Sequence, residues 1–158
     1  MQAYLVQHGE AKAEAEDPAR PLTDSGRAEV QRVARQAALL GLPVAEICHS
    51  GKLRARQTAE IMAEHLRPSR GVRGMRGMEP NDDPGVARDE LAAAEEPMML
   101  VGHLPHLGRL VSSLLVGDPA REILRFRNGA IVCLARAEGG WRLHWILTPE
   151  LAPARSSP

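Results

Sequence analysis

The chain has 158 residues, 20 Lys+Arg balanced by 20 Asp+Glu, 44% hydrophobic and 25% charged residues. That length and composition suit one soluble globular domain and exclude wholesale disorder. Zero net charge argues against a polyanion-binding face, and 3% aromatics leave too little for base stacking, so neither nucleic acid nor membrane is expected as a partner.

Residues 3–6 (Ala-Tyr-Leu-Val) read as a short buried strand. Over 24–40 the apolar positions Val30, Val33, Ala34, Ala37 and Leu40 share one helical face, and Gly41 supplies the stop. A second strand covers 44–48, followed by a helix over 52–66 with Ala55, Ala59, Met62 and Leu66 on one stripe and Ser50 placed to cap its start. Residues 67–76 carry four arginines and no acid, whereas 79–96 carry seven acids against Arg88 alone. Both runs read as solvated surface, the second as a loop and a short helix. A third strand covers 98–101, and a helix over 105–115 buries Leu107, Leu110, Val111 and Leu114. Residues 130–135 and the alternating Trp141, Leu143, Trp145 and Leu147, joined through Glu138-Gly139-Gly140, form a hairpin.

Strands alternating with helices imply a three-layer α/β/α fold with a mostly parallel, mixed sheet and a C-terminal hairpin. One domain is expected over 1–151, with 152–158 as a flexible tail. Cys48 and Cys133 sit in apolar runs without disulfide or zinc spacing and read as small buried hydrophobes; neither metal nor cofactor is expected. The N-terminus turns charged by Glu10 and no apolar run approaches the roughly 20 residues of a membrane span, so a cytoplasmic location is expected. A monomer is expected as well.

Open α/β sheets bind ligands beyond the carboxyl ends of their strands. The first predicted strand ends at Gln7-His8-Gly9, the second at His49-Ser50 before a helix whose first turn holds Arg54, and the third at Gly102-His103. Two histidines and an arginine thus reach one rim from three separate elements. A neutral imidazole is a good nucleophile near pH 7, and arginine offers a planar fork to phosphate oxygens. The combination suits phosphoryl transfer, where catalysis is mostly positioning and charge neutralisation.

The same residues resemble a known family. Gln7-His8-Gly9-Glu10-Ala11 resembles the Arg-His-Gly signature of the histidine phosphatase superfamily, the phosphoglycerate mutase-like fold. Pro21-Leu22-Thr23-Asp24-Ser25-Gly26 resembles its PLTxxG segment, Ser50 to Ala59 its SxxxRAxQTA helix start, and Val101-Gly102-His103-Leu104-Pro105 its second-histidine motif. The motifs keep the family's order over nearly the whole chain. The short length and lack of a lid insertion look most like the small SixA-type phosphohistidine phosphatases.

The resemblance implies that His8 is the nucleophile, forming a phosphohistidine that water hydrolyses, with Arg54 and His103 holding the phosphoryl group. It implies as substrate a phosphorylated His-containing phosphotransfer protein or a small phosphorylated molecule. Pro21, Leu22, Thr23 and Gly26 look structural. Lys52 and Arg56 are expected to face solvent, and His49, His65 and His144 to be structural or surface residues. His106 near His103 lacks an acidic partner in sequence for a metal site.

Two departures stand out. Gln7 occupies the position of the family's arginine and offers a neutral amide in its place, so its phosphate-binding contribution is weakened. This leaves open a pseudo-phosphatase that binds phosphohistidine without turnover; Arg20, just ahead of the PLT segment, is the available substitute. A general acid is the second gap. Glu79, with Asp82 and Asp83 behind it, is the candidate, and an ordinary loop carboxylate is the alternative reading. An imidazole leaves more readily than an alkoxide, which leans toward a phosphohistidine substrate.

Overall fold

A computed structural model describes residues 1–154 of the chain. Six strands form one sheet: β1 (Gln2–Gln7), β2 (Glu46–His49), β3 (Val72–Gly74), β4 (Met98–Gly102), β5 (Ile131–Ala137) and β6 (Gly140–Leu147). Their order is β3-β2-β4-β1-β5-β6. The first four are mutually parallel, and β5 and β6 join antiparallel through the hairpin. Four helices cover the sheet: α1 (Asp24–Leu39), α2 (Leu53–Leu66), α3 (Gly85–Ala93) and α4 (His106–Val116). The expected mixed α/β/α architecture is therefore present.

Strand alternation divides the apolar residues between two cores. Tyr4 and Val6 of β1 and Met99 and Val101 of β4 face α1 and α2, where they meet Val30, Val33, Ala59 and Met62. Ala3 and Leu5, with Met98 and Leu100, face α3 and α4, where they meet Leu91, Leu107 and Leu110. Burial on both sides explains why these strands read as continuous apolar runs rather than alternating ones. Both cysteines are fully buried, Cys133 on the first face and Cys48 on the second. Among the described residues no helix is long and apolar enough to cross a membrane.

Several details differ from the sequence expectations. Leu40 is 59% exposed, because α1 ends at Leu39 and the chain turns at Gly41 with φ +67°. The arginine-rich run contains the edge strand β3, and the two charged runs partly pair with each other. Arg73 reaches Glu90 at 2.6 Å and Glu46 at 3.0 Å, and Arg70 reaches Glu96 at 3.1 Å. Arginines on a sheet edge also discourage strand addition. In the hairpin a bulge between Cys133 and Leu134 shifts the register, so Trp141 packs into the second core while Trp145 and Leu147 pack on the first. One extra residue reverses the side-chain alternation, which the period-2 pattern alone does not reveal. Ala152, the first residue of the expected tail, is buried in the first core; 155–158 lie outside the described residues.

The PLTxxG segment is fixed by its own chemistry. Thr23 caps α1, its Oγ1 accepting from the Gly26 N–H at 2.9 Å. Its N–H donates to the Glu10 carbonyl, and Ala11 and Leu22 form an antiparallel bridge. A Cβ on Gly26 would fall on the Glu10 backbone. Gly26→Ala is therefore expected to destabilise the protein by about 2–3 kcal/mol, as overpacking against rigid backbone does. Gly108→Ala in α4, where a Cβ meets nothing within 4 Å, should be neutral or stabilising. Urea unfolding midpoints of the two variants check the contrast.

Candidate active site

β2, β4 and β1 lie side by side and run parallel, so their carboxyl ends form one rim. His8 follows β1, Ser50 follows β2 and His103 follows β4. Arg54 stands in the first turn of α2. The rings of His8 and His103 lie 5.0 Å apart, centroid to centroid, tilted by 54°. The expected meeting of two histidines at one strand rim is thus present.

The backbone of His8 is held from two sides: its N–H donates to the Gly102 carbonyl at 3.1 Å, and its carbonyl accepts from Asn128 Nδ2 at 2.9 Å. Nδ1 lies 2.7 Å from the Gly9 carbonyl. A carbonyl only accepts, so Nδ1 carries the proton and Nε2 keeps its lone pair. Burial pushes the pKa of His8 down to about 4; the Gly9 bond opposes this, while Arg54 and Arg20 reinforce it. His103, 1% exposed, is pushed to about 3 by burial and then by His8, Arg54, Lys52 and His106. Both imidazoles are therefore neutral at pH 7.

His103 Nε2 is 2.6 Å from Ser50 Oγ. Ser50 is not the N-cap residue of α2, although its Oγ accepts from the Lys52 N–H at 3.3 Å at the start of the helix. Lys52 occupies the N-cap position without a side-chain bond, and the serine hydroxyl is turned to the histidine. His103 Nδ1, Arg54 Nε and Gln7 Oε1 are buried without hydrogen-bond partners among the described residues. Arg54 has no carboxylate within ion-pair distance among those residues. Burial, followed by the charge of Arg20, lowers its pKa from the usual arginine value. The unpartnered Arg54 Nε–H and its uncompensated positive charge beside a neutral imidazole make a receptor for a small anion.

The motif residues Gln57 and Thr58 have structural tasks that sequence reasoning did not assign. Thr58 Oγ1 accepts from the Gly9 N–H at 3.0 Å, and Gln57 Oε1 accepts from the Leu22 N–H at 2.8 Å. At i, i+3 and i+4 they share the face of α2 that carries Arg54. Asn128 escaped notice because its partner His8 lies 120 positions away.

Among the described residues Glu79 makes no hydrogen bond or ion pair with either histidine. It is 58% exposed, pairs with Lys52 at 3.7 Å, and lines a cleft of about 380 Å³ with Ser50, Arg76 and Asp82. Lys52 thus pairs beside that cleft with its side chain 37% exposed, and Arg56 pairs with Glu60 on the exposed face of α2. His49 and His106 are buried, His65 bonds Gln31 and His144 is exposed. Among the described residues no three His, Cys, Asp or Glu side chains are grouped as a metal ion would need.

The sequence model of the histidine phosphatase superfamily (branch 1) matches residues 3–95. The chain belongs to the histidine phosphatase superfamily. That membership brings the phosphatase class of activity with it. A relative from Picosynechococcus sp. (strain ATCC 27264 / PCC 7002 / PR-6), itself uncharacterised, is 35% identical over 139 residues, 83% of each chain. Among solved structures, the protein histidine phosphatase SixA complexed with tungstate is 27% identical with a TM-score of 0.83, covering 94% of this chain and 97% of that one. A chain from Agrobacterium tumefaciens, provisionally assigned as phosphohistidine phosphatase SixA, shares the fold at 24% identity and a TM-score of 0.76, covering 94% and 97%. This histidine phosphatase is of the SixA type in length and architecture.

Proposed function

We propose that the protein hydrolyses phosphohistidine on a partner protein through a covalent phosphohistidine on His8. The observation that carries the reading is the Nδ1–H bond of His8 to the Gly9 carbonyl, which leaves Nε2 as a neutral nucleophile beside His103 and Arg54. Nε2 forms a bond to phosphorus as the bond from phosphorus to the substrate nitrogen breaks. The departing imidazole leaves neutral when its other nitrogen is protonated, so no acid has to be aimed at the breaking bond. Water then attacks the phosphorus, the Nε2–P bond breaks and inorganic phosphate is released. Arg54 holds the equatorial oxygens by charge-assisted bonds. His103, held through Nε2 by Ser50, accompanies the same group, and Gln7 adds an amide.

A phosphohistidine substrate fits the position of Glu79, which is exposed and paired with Lys52 rather than directed at His8. The names of the two SixA structures point the same way. The alternative, a small phosphomonoester, has in its favour the cleft that joins Ser50 to Glu79, where a carboxyl group would protonate an alkoxide. Relative kcat/KM on a phosphorylated His-containing transfer domain and on sugar phosphates decides between them; faster ester hydrolysis overturns the protein-substrate reading. The covalent step is tested by quenching a reaction with labelled phosphodonor. An acid-labile, base-stable label on His8 is expected, and turnover without such a label would reject the step. Absence of both label and turnover, cured by Gln7→Arg, would mark a pseudo-phosphatase.

The nucleophile must be neutral in the free enzyme, and its pKa is lowered from 6.5 to about 4. With the substrate's own titration divided out, kcat/KM should stay flat from pH 7 to about 5 and fall only near pH 4. An acid limb at pH 6.5 would contradict a buried nucleophile.

A further inference from the structure

The opening motif has lost a cation at Gln7, yet the rim holds another positive group besides Arg54. We propose that Arg20 binds the phosphoryl group together with Arg54 and replaces the charge missing at position 7; the proposal rests on the phosphoryl-transfer reading above.

Hydrogen bonds fasten the segment that carries Arg20 to the frame of the site. Lys12 and the following segment are laced together, the Lys12 N–H donating to the Pro21 carbonyl at 2.8 Å and Arg20 Nε donating to the Lys12 carbonyl at 3.0 Å. Two residues on, the Leu22 N–H is held by Gln57, one turn along α2 from Arg54. The same helix face holds Gly9, next to His8, through Thr58. The strand rim, the helix start and the PLT segment are thus fastened to one another around the two arginines and the nucleophile.

The backbone of Arg20 is informative as well. Its φ is +50°, in the left-handed region that glycine or asparagine adopts more readily. Arg67 shares this conformation, but there it ends α2 as a left-handed cap. Arg20 ends the turn begun at Asp17, its N–H donating to the Asp17 carbonyl at 2.9 Å, and caps no helix. A long cationic side chain at a position that favours glycine points to a task for the side chain.

Electrostatics agrees with this placement. The charge of Arg20 depresses the pKa of both His8 and Arg54. Arg20 has no carboxylate within ion-pair distance among the described residues. Two unpaired guanidinium groups that repel each other are drawn together by a dianion, which converts their repulsion into binding. With Nε committed to Lys12, the two terminal nitrogens of Arg20 remain for phosphate oxygens.

The test measures binding of inorganic phosphate, or of tungstate as a non-reacting tetrahedral anion, by calorimetry, and turnover in parallel. Arg20→Gln should weaken anion binding and kcat/KM by about 10- to 100-fold. Arg20→Lys, keeping the charge without the fork, should lose less than about tenfold. Gln7→Arg added to Arg20→Gln should restore most of the loss, because it returns a guanidinium to the same anion. Wild-type anion affinity in Arg20→Gln overturns the proposal. A loss that Gln7→Arg does not restore overturns it too, since Arg20 would then act only through the fold. Should Arg20→Gln not fold, Arg20→Lys with and without Gln7→Arg carries the same comparison, and equal affinity in both overturns it. If anion binding follows these expectations while no phosphohistidine is hydrolysed, the catalytic reading fails and the anion site stands.

Discussion

His8→Ala should abolish both turnover and phosphoryl labelling, with a loss on the order of 10⁴-fold or more, as deletion of a covalent nucleophile does. The variant should nevertheless fold. His8 is held mainly through its backbone, by Gly102, Asn128 and the β1 ladder, and those bonds survive truncation of the ring. Truncation also removes the charge-charge repulsion by which His8, once protonated, lowers the pKa of His103, so the remaining histidine should titrate at a higher pH in the variant. NMR of the His103 ring reads this independently of activity. Residual turnover within about tenfold of wild type would mean that another group attacks phosphorus, and the covalent mechanism on His8 would be abandoned.

Arg54→Ala should lower kcat/KM by about 10²–10³-fold, or roughly 3–4 kcal/mol of transition-state stabilisation, the range for removing one preorganised donor set from an oxyanion. The loss should be greater in kcat than in ground-state phosphate binding, because charge on the transferred group is best matched in the transition state. Arg54→Lys keeps the charge in the same turn of α2 but cannot present two parallel N–H groups, so recovery should be partial. Arg54 stands in the first turn of α2 with Nε unpartnered, so neither change should weaken folding. A melting temperature within a few degrees of wild type distinguishes a lost contact from a lost fold.

Much of this site was legible in the sequence because the rim is built from strand ends. Buried parallel strands announce themselves as apolar runs, and the residue after each run falls where ligands bind. That located His8 and His103, and the helix that follows β2 located Arg54. What escaped notice depends on partners distant in sequence. Ser50 has the right chemistry for an N-cap and does meet the Lys52 N–H, but nothing local says that His103, 53 positions away, shares its hydroxyl. Asn128 sits in an ordinary turn before β5 and has meaning only against His8. The edge strand β3 is three residues long, Val72-Arg73-Gly74, with a single apolar side chain, so its pairing comes from β2 and from Glu46 and Glu90 rather than from a pattern of its own. The hairpin bulge leaves no mark in the alternation it disrupts. The ion pair of Glu79 with Lys52 is likewise invisible to sequence spacing, since the two residues lie on separate elements.

The position of β1 between β4 and β5 also bears on how the protein is made. The strand that leads to His8 is synthesised before either of its ladder partners, which end at Gly102 and Ala137. During translation its apolar Ala-Tyr-Leu-Val face therefore waits about a hundred residues for a first ladder and longer for a second. Non-local pairing of this kind slows folding and leaves unpaired edges open to other chains. The rim that joins His8, Arg54 and His103 cannot exist on any nascent chain that has not reached β4, so the candidate site forms only after the strands that precede it have waited for their partner.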